Sequence, residues 1–233
     1  MIRLDKYIAD TLVCTRSEAS ALIRAGRVCL DGVTVKKGDV RFDEKKCTVA
    51  VDGKTAGYKE FIYIMMNKPA GVVSATDDVR EKTVLSLLPE KYMTKELFPV
   101  GRLDKDTVGL IILTNDGKNA HRLLSPKHHV EKEYYVECDA EFADSDIDTC
   151  LKGVMMDGDR TKPCVLKICE NNRKCAHMIL TEGKYHEIKR LCGHMGKNVT
   201  FLERVRFGSL LLDGELQRGE WRELSEQEIS MLG

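Results

Sequence analysis

Long apolar runs are missing from this sequence. Nowhere do about eighteen apolar residues stand together, so a membrane-spanning helix is excluded. The opening Met1-Ile2-Arg3-Leu4-Asp5-Lys6 lacks the apolar stretch of a signal peptide, and a cytoplasmic chain is expected. No Cys-x-x-Cys pair occurs among the nine cysteines, and Cys164, Cys169 and Cys175 have no histidine at zinc-finger spacing. An odd number of irregularly spaced cysteines predicts reduced thiols, with neither a disulfide framework nor a bound metal. Internal repeats and low-complexity segments are absent too. The chain is long enough for one medium domain and a small one, and its apolar share suffices for a real core.

Net charge is also lacking, since 37 basic residues offset 37 acidic ones. The charges are nevertheless segregated along the chain. Residues 137–159 carry Glu137, Asp139, Glu141, Asp144, Asp146, Asp148, Asp157 and Asp159, whereas residues 184–206 carry Lys184, Lys189, Arg190, Lys197, Arg204 and Arg206. Either one positive face meets an anionic partner such as a nucleic acid, or both stretches are solvated surface.

The first segment reads as a compact module. Leu4, Tyr7, Ile8 and Leu12 fall at helical spacing. The capping box Thr15-Arg16-Ser17-Glu18 opens a second helix that runs through Ile23 and stops at Gly26. Arg27–Leu30, the turn Asp31-Gly32 and Val33–Val35 form a hairpin. Arg16, Arg24, Arg27, Lys36 and Lys37 cluster on these elements, as phosphate contacts require. Residues 49–60, with Asp52-Gly53 and Ala56-Gly57, read as the tail of a strand and a short tether. Arg3-Leu4-Asp5-Lys6-Tyr7, Ser17-Glu18-Ala19, Ile23, Gly26-Arg27-Val28 and Asp31-Gly32 together resemble the alpha-L RNA-binding domain of a small-subunit ribosomal protein and of several RNA-modifying enzymes. That resemblance covers roughly residues 1–48.

The remainder, 61–233, alternates apolar strands with dispersed helices. Strands are expected at Phe61–Met66 (ended by Lys68-Pro69), Gly109–Thr114, Val130–Cys138, Cys164–Glu170 and Ala176–Thr181. Helices are expected at Val84–Leu88, Lys118–Leu124 (stopped by Ser125-Pro126), Ile147–Val154, Glu187–His194 and after the capping box Ser225–Glu228. The class is α+β, with a mainly antiparallel mixed sheet preceded by a small helix-helix-hairpin domain.

Between two apolar runs lies Gly101-Arg102-Leu103-Asp104-Lys105-Asp106-Thr107-Val108-Gly109. Acidic residues in such a loop sit at the rim of a rigid sheet, where sites lie. A hard metal is not expected there, because no histidine or third carboxylate is near and Arg102 and Lys105 oppose a cation.

This run, followed by Leu113-Thr114-Asn115-Asp116-Gly117, resembles the signature of the small-subunit ribosomal RNA pseudouridine synthase family. Asn67-Lys68-Pro69-Ala70-Gly71-Val72, Lys132-Glu133-Tyr134-Tyr135-Val136 and Glu182–Arg190 resemble its other motifs in order. The resemblance implies that a uracil is detached from its ribose, turned and rejoined through carbon, with no cofactor. It implies Asp104 as the catalytic carboxylate, Lys189 as the cation keeping it charged, and Tyr134 as the ring that stacks on the flipped base and assists proton removal. Ile188 would wall the base, with Lys184 and Arg190 from the basic motif near the substrate. Arg102 would fill the space that the base vacates, or form a surface ion pair with Asp106. Tyr135 would point to the opposite face of its strand. His186 and His194 read as phosphate contacts or helix packing. Glu187 stands where the family often has glutamine, and would put a negative charge beside Lys189. The expected partner is ribosomal RNA or a subunit assembly intermediate, acted on by a monomer. A large-subunit enzyme and a non-catalytic assembly factor are the competing readings.

Overall fold

A computed structural model describes residues 1–12, 14–44, 46–56, 61–125 and 127–232. Gly57 and Pro126, read above as tether and helix stop, lie outside the described residues. The chain divides into two compact units, one of Met1–Ile62 with Pro89–Glu96 and one of Tyr63–Leu88 with Leu97–Gly233.

In the first unit, β1 (Ile2–Arg3) leads directly into α1 (Leu4–Thr11), and α2 (Arg16–Arg24) follows. The reciprocal capping box is formed, Thr15 accepting from the Glu18 amide while Glu18 accepts from the Thr15 amide. Then come β2 (Val28–Leu30), β3 (Val33–Thr34), β4 (Arg41–Phe42), β5 (Val49–Val51) and β6 (Lys54–Thr55). The order β3-β2-β5-β6 makes one sheet, with β1 and β4 paired separately. Leu4, Tyr7, Ile8, Ile23, Val28 and Val49 form its core, and the Tyr7 hydroxyl donates to the Ala56 carbonyl at 2.8 Å. Residues 49–55, expected as strand tail and tether, are instead a hairpin completing this sheet. Its turn is Asp52-Gly53, both left-handed (φ 52° and 76°), like Asp31-Gly32 (49° and 81°).

The second unit is built on one mixed sheet. Its elements are β7 (Tyr63–Lys68), β8 (Phe98–Pro99), β9 (Val108–Thr114), α3 (Gly117–Leu124), β10 (Lys132–Cys138), α4 (Asp144–Lys152), β11 (Met155–Met156), β12 (Asp159–Arg160), β13 (Val165–Ile168), β14 (Cys175–Leu180), α5 (Glu187–His194), β15 (Val199–Phe207), β16 (Leu210–Leu211), β17 (Trp221–Glu223) and α6 (Glu226–Met231). Among the described residues the path is β13-β14-β10-β15-β9-β7-β17, with β16 on β15 and β8 on β9. Every pairing is antiparallel except β9 with β15, which are parallel over two residue pairs, Val108 with Glu203 and Arg204 with Gly109. The expected helix at Val84–Leu88 is a 3-10 turn, Leu85–Leu87.

Both β7 and β9 are buried along their whole length, matching their near-continuous apolar sequences. One core lies over β10, β13, β14, α4 and α5, and another between β7, β9, α3 and α6. The acidic and basic stretches meet and pair: Asp146 with Lys197 at 2.8 Å, both nearly buried, and Asp157 with Arg190 at 2.7 Å. They therefore do not act as two separate faces. No helix among the described residues is long and apolar enough to cross a membrane.

Candidate active site

The loop carrying Asp104 is fixed from beneath by the strand before it. Lys68 ends β7 with no exposed surface, and its ammonium donates to the carbonyls of Pro69 (3.1 Å), Asp104 (3.0 Å) and Thr107 (2.8 Å). Burial pulls Lys68 down to about 8, with Asp106 and Asp104 partly opposing. Ser74 Oγ donates to the Leu103 carbonyl at 2.9 Å and accepts from its amide at 3.0 Å. The Gly71 amide donates to Lys105 O at 2.8 Å. A turn with its carbonyls and amides so occupied holds one geometry.

Gly109 brings β9 against β15. A Cβ at this position would lie 2.4 Å from the Arg204 carbonyl oxygen, and its φ of +98° is itself closed to most side chains. This contact joins the two strands that flank the site.

From the other side, α5 delivers the cation. Lys189 Nζ lies 3.0 Å from Asp104 Oδ2 and 2.6 Å from Asp106 Oδ1. Burial acts to lower the Lys189 pKa, but the two carboxylates outweigh it and hold the ammonium above its ordinary value. Asp106 is held below the usual carboxylate range, chiefly by its hydrogen bond from Lys189. The side chains differ in position: that of Asp104 is 30% exposed and faces a pocket, whereas that of Asp106 is 72% exposed and lies outside it.

That pocket has a volume of about 90 Å³. Asp104, Tyr134, Lys184, His186, Ile188 and Lys189 line it, over an apolar floor of Leu103, Leu180 and Leu202. Thr107 is 2% exposed and also lines it, and its hydroxyl has no hydrogen-bond partner among the described residues. Tyr134 is half-buried, at a break in the β10–β15 register. Tyr135 turns to the opposite face, donating to Glu137 at 2.9 Å and packing edge-on against His177 and Phe201.

Other site residues fall less simply. Arg102 is exposed at the pocket mouth and forms no ion pair among the described residues; Asp106, its alternative partner, is taken by Lys189. Arg190 is tied by both forks to Asp157 (2.7 and 2.8 Å) and does not line the pocket. His186, expected as packing or a phosphate contact, comes to the carboxylate itself. Its Nε2 lies 3.5 Å from Asp104 Oδ1, because a left-handed φ of 49° at the start of α5 turns the ring inward. It stacks on Tyr185 at 3.8 Å and 19°. Nothing in a Tyr-His-Glu sequence announces that backbone conformation.

Glu187 corrects another expectation. It is 6% exposed, and burial together with a hydrogen bond that its protonated form donates to Glu182 raises it to about 8. It is therefore uncharged near neutral pH and does not oppose Lys189. Its oxygen accepts from the Lys184 amide at 2.8 Å, tying down the start of α5.

In the first unit the five expected RNA-binding cations are all exposed. Arg16 pairs with Asp5 at 3.1 Å, and Arg27 Nε donates to Asp52 at 2.8 Å, so these two are partly neutralised. Arg24, Lys36 and Lys37 form no ion pair among the described residues. No group of three or more metal-ligating side chains is placed to hold a metal ion among the described residues.

Residues 62–194 match the RNA pseudouridylate synthase family, and residues 2–45 match the S4 domain. An uncharacterized RNA pseudouridine synthase of Bacillus subtilis is 44% identical, covering 99% of this chain and 98% of that protein. The ribosomal small subunit pseudouridine synthase A of Escherichia coli K12 is 39% identical, over 98% of this chain and 99% of its own. A crystal structure of a pseudouridylate synthase superposes with a TM-score of 0.71 at 35% identity, covering 100% of both chains.

Proposed function

Since this chain belongs to the RNA pseudouridylate synthase family and carries an S4 domain ahead of its catalytic part, we propose that it converts a uridine of small-subunit ribosomal RNA to pseudouridine, with Asp104 as the catalytic carboxylate. The observation that carries the reading is the Asp104–Lys189 pair facing a pocket shared with Tyr134.

The reaction is an isomerisation: the C1′–N1 bond breaks, the base turns, C1′ joins C5, the C5 proton leaves and N1 gains a proton. No electrons are exchanged and no group is added. The base must first leave its stack, at a cost of a few kcal/mol. A pocket of about 90 Å³ takes a pyrimidine ring and little more. Ile188 and Tyr134 face that ring, so stacking offsets part of the flip. Asp104, paired with Lys189 at 3.0 Å, approaches the sugar or the base from the pocket wall. In this reading Tyr134, which lines the pocket, assists removal of the C5 proton. Arg102 and Lys184 lie where the flanking strand enters.

Support for an RNA partner comes from the exposed Arg24, Lys36 and Lys37 of the S4 part. A ribosomal substrate supports a cytoplasmic location. One chain supplies every residue named in the pocket, which suits a monomer.

The test is a chemical map of pseudouridine in small-subunit ribosomal RNA from cells carrying wild type, a deletion or Asp104→Asn. One site present in wild type and lost in both others is expected. An unchanged map in Asp104→Asn defeats the assignment.

A further inference from the structure

Next to the uridine pocket lies a second, larger chamber of about 670 Å³. The two share Arg102, Tyr134, Glu182, Gly183 and Lys184, so the chamber adjoins the place where the uridine would sit. Two buried cations line the chamber. Lys132, 9% exposed, holds its ammonium 5.6 Å from the centre of the Phe207 ring, with no hydrogen bond or ion pair among the described residues. Arg204, 2% exposed, donates from Nε to the Leu110 carbonyl at 2.7 Å. Its Nη2 is buried without a partner among the described residues, and its guanidinium lies 5.4 Å from the same ring.

Two desolvated cations close to one aromatic ring are costly to keep. Burial, aggravated by Arg204, pulls the Lys132 pKa down. Glu187 opposes that fall only in its ionised form, above about 8, and Lys162 adds repulsion. Glu182 also lines the chamber, but its Oε1 accepts the Lys162 amide and it shares a hydrogen bond with Glu187. The chamber therefore has an excess of positive charge and a shortage of acceptors. A ligand anion supplies both, where hydrogen bonds to charge are strong.

We propose that this chamber is a phosphate subsite, in which Lys132 and Arg204 receive the backbone phosphate next to the flipped uridine. The inference rests on the uridine reading of the adjoining pocket. Its apolar side, Pro99 and Leu124, suits sugar carbons and leaves room for the ribose joined to that phosphate. Binding there gives base flipping a second, charge-driven handle, independent of stacking on Tyr134.

Calorimetric titration of the full chain at low salt tests this, with uridine, uridine 3′- and 5′-monophosphate and inorganic phosphate as probes. Wild type should bind one monophosphate at least about tenfold more tightly than uridine. Lys132→Met should lose that preference while binding uridine unchanged, and Lys132→Arg should retain it. Inorganic phosphate should displace the monophosphate but not uridine. Wild type that binds uridine and both monophosphates equally, or not at all, overturns the subsite. So does full preference in Lys132→Met, or inorganic phosphate binding more tightly than either nucleotide, which marks a free-ion site. None of these titrations needs turnover, so a blank pseudouridine map and a failed titration are separate results.

Discussion

Replacing Glu187 by glutamine tests the claim that this buried carboxyl is kept protonated. The amide is nearly isosteric and still offers an oxygen to the Lys184 amide, so the start of α5 is preserved. In the folded protein Glu187 titrates at about 8, against an ordinary 4.5. Between those values the unfolded chain sheds a proton that the folded chain retains. Stability therefore falls as pH rises from about 4.5 to about 8 and is flat above. At about 1.4 kcal/mol per pH unit, the gap bounds the penalty at about 5 kcal/mol above pH 8. Sharing of the proton with Glu182 and relaxation around the pair reduce it to a few kcal/mol. Glutamine carries no such penalty. Urea unfolding followed by the fluorescence of Trp221, the single tryptophan and a member of β17, reports on the catalytic unit directly. The variant and wild type should be nearly equally stable near the lower end of the window, with the variant ahead by a few kcal/mol at the upper end. A stability difference that does not grow with pH refutes the assignment.

Three further outcomes follow from the geometry. Gly109→Ala forces a Cβ to within 2.4 Å of the Arg204 carbonyl, and should destabilise the protein by at least about 3 kcal/mol in thermal unfolding. Lys68→Met leaves the Asp104 and Thr107 carbonyls without their donor, and should lower kcat by at least about tenfold with KM little changed; because Lys68 is lowered to about 8, wild-type stability relative to this variant should rise with pH from about 8 to its ordinary 10.5. Alanine at Arg24, Lys36 and Lys37 together should weaken RNA binding and reduce the salt slope by about 2, whereas Arg27→Ala alone should do less, since Asp52 already occupies it; filter binding at several salt concentrations reads both.

Local signals were legible because they act over a few residues. The capping boxes at Thr15–Glu18 and Ser225–Glu228 formed as spelled, and Asp31-Gly32 made its hairpin. Asp52-Gly53 carries the same hairpin signal, and its hairpin forms where a tether is expected. The long strand β15 is hidden by its own charges: Arg204 and Arg206 read as part of a basic surface, yet Arg204 is buried against Phe207. Lys68 read as a strand end before proline, and its role as donor to the loop needs the loop to be folded over it. The meeting of Asp104 with Lys189 came from family resemblance alone, because no local periodicity links residues on β9's loop and on α5. His186 was missed because its contact depends on one left-handed backbone torsion.

The pairing of β17 with β7 sets an order on biosynthesis. β7, the first strand of the catalytic unit, carries Lys68, and it stays open along one side until residues 221–223 have left the ribosome and paired with it. Until then a strand buried on both faces in the finished protein, Tyr63-Ile64-Met65-Met66, presents a bare apolar edge to whatever is nearby. Nascent chains stalled before Trp221 therefore keep one edge of β7 open to aggregation or to a chaperone. The strand that carries the support beneath Asp104 thus gains its second neighbour only from residues 221–223.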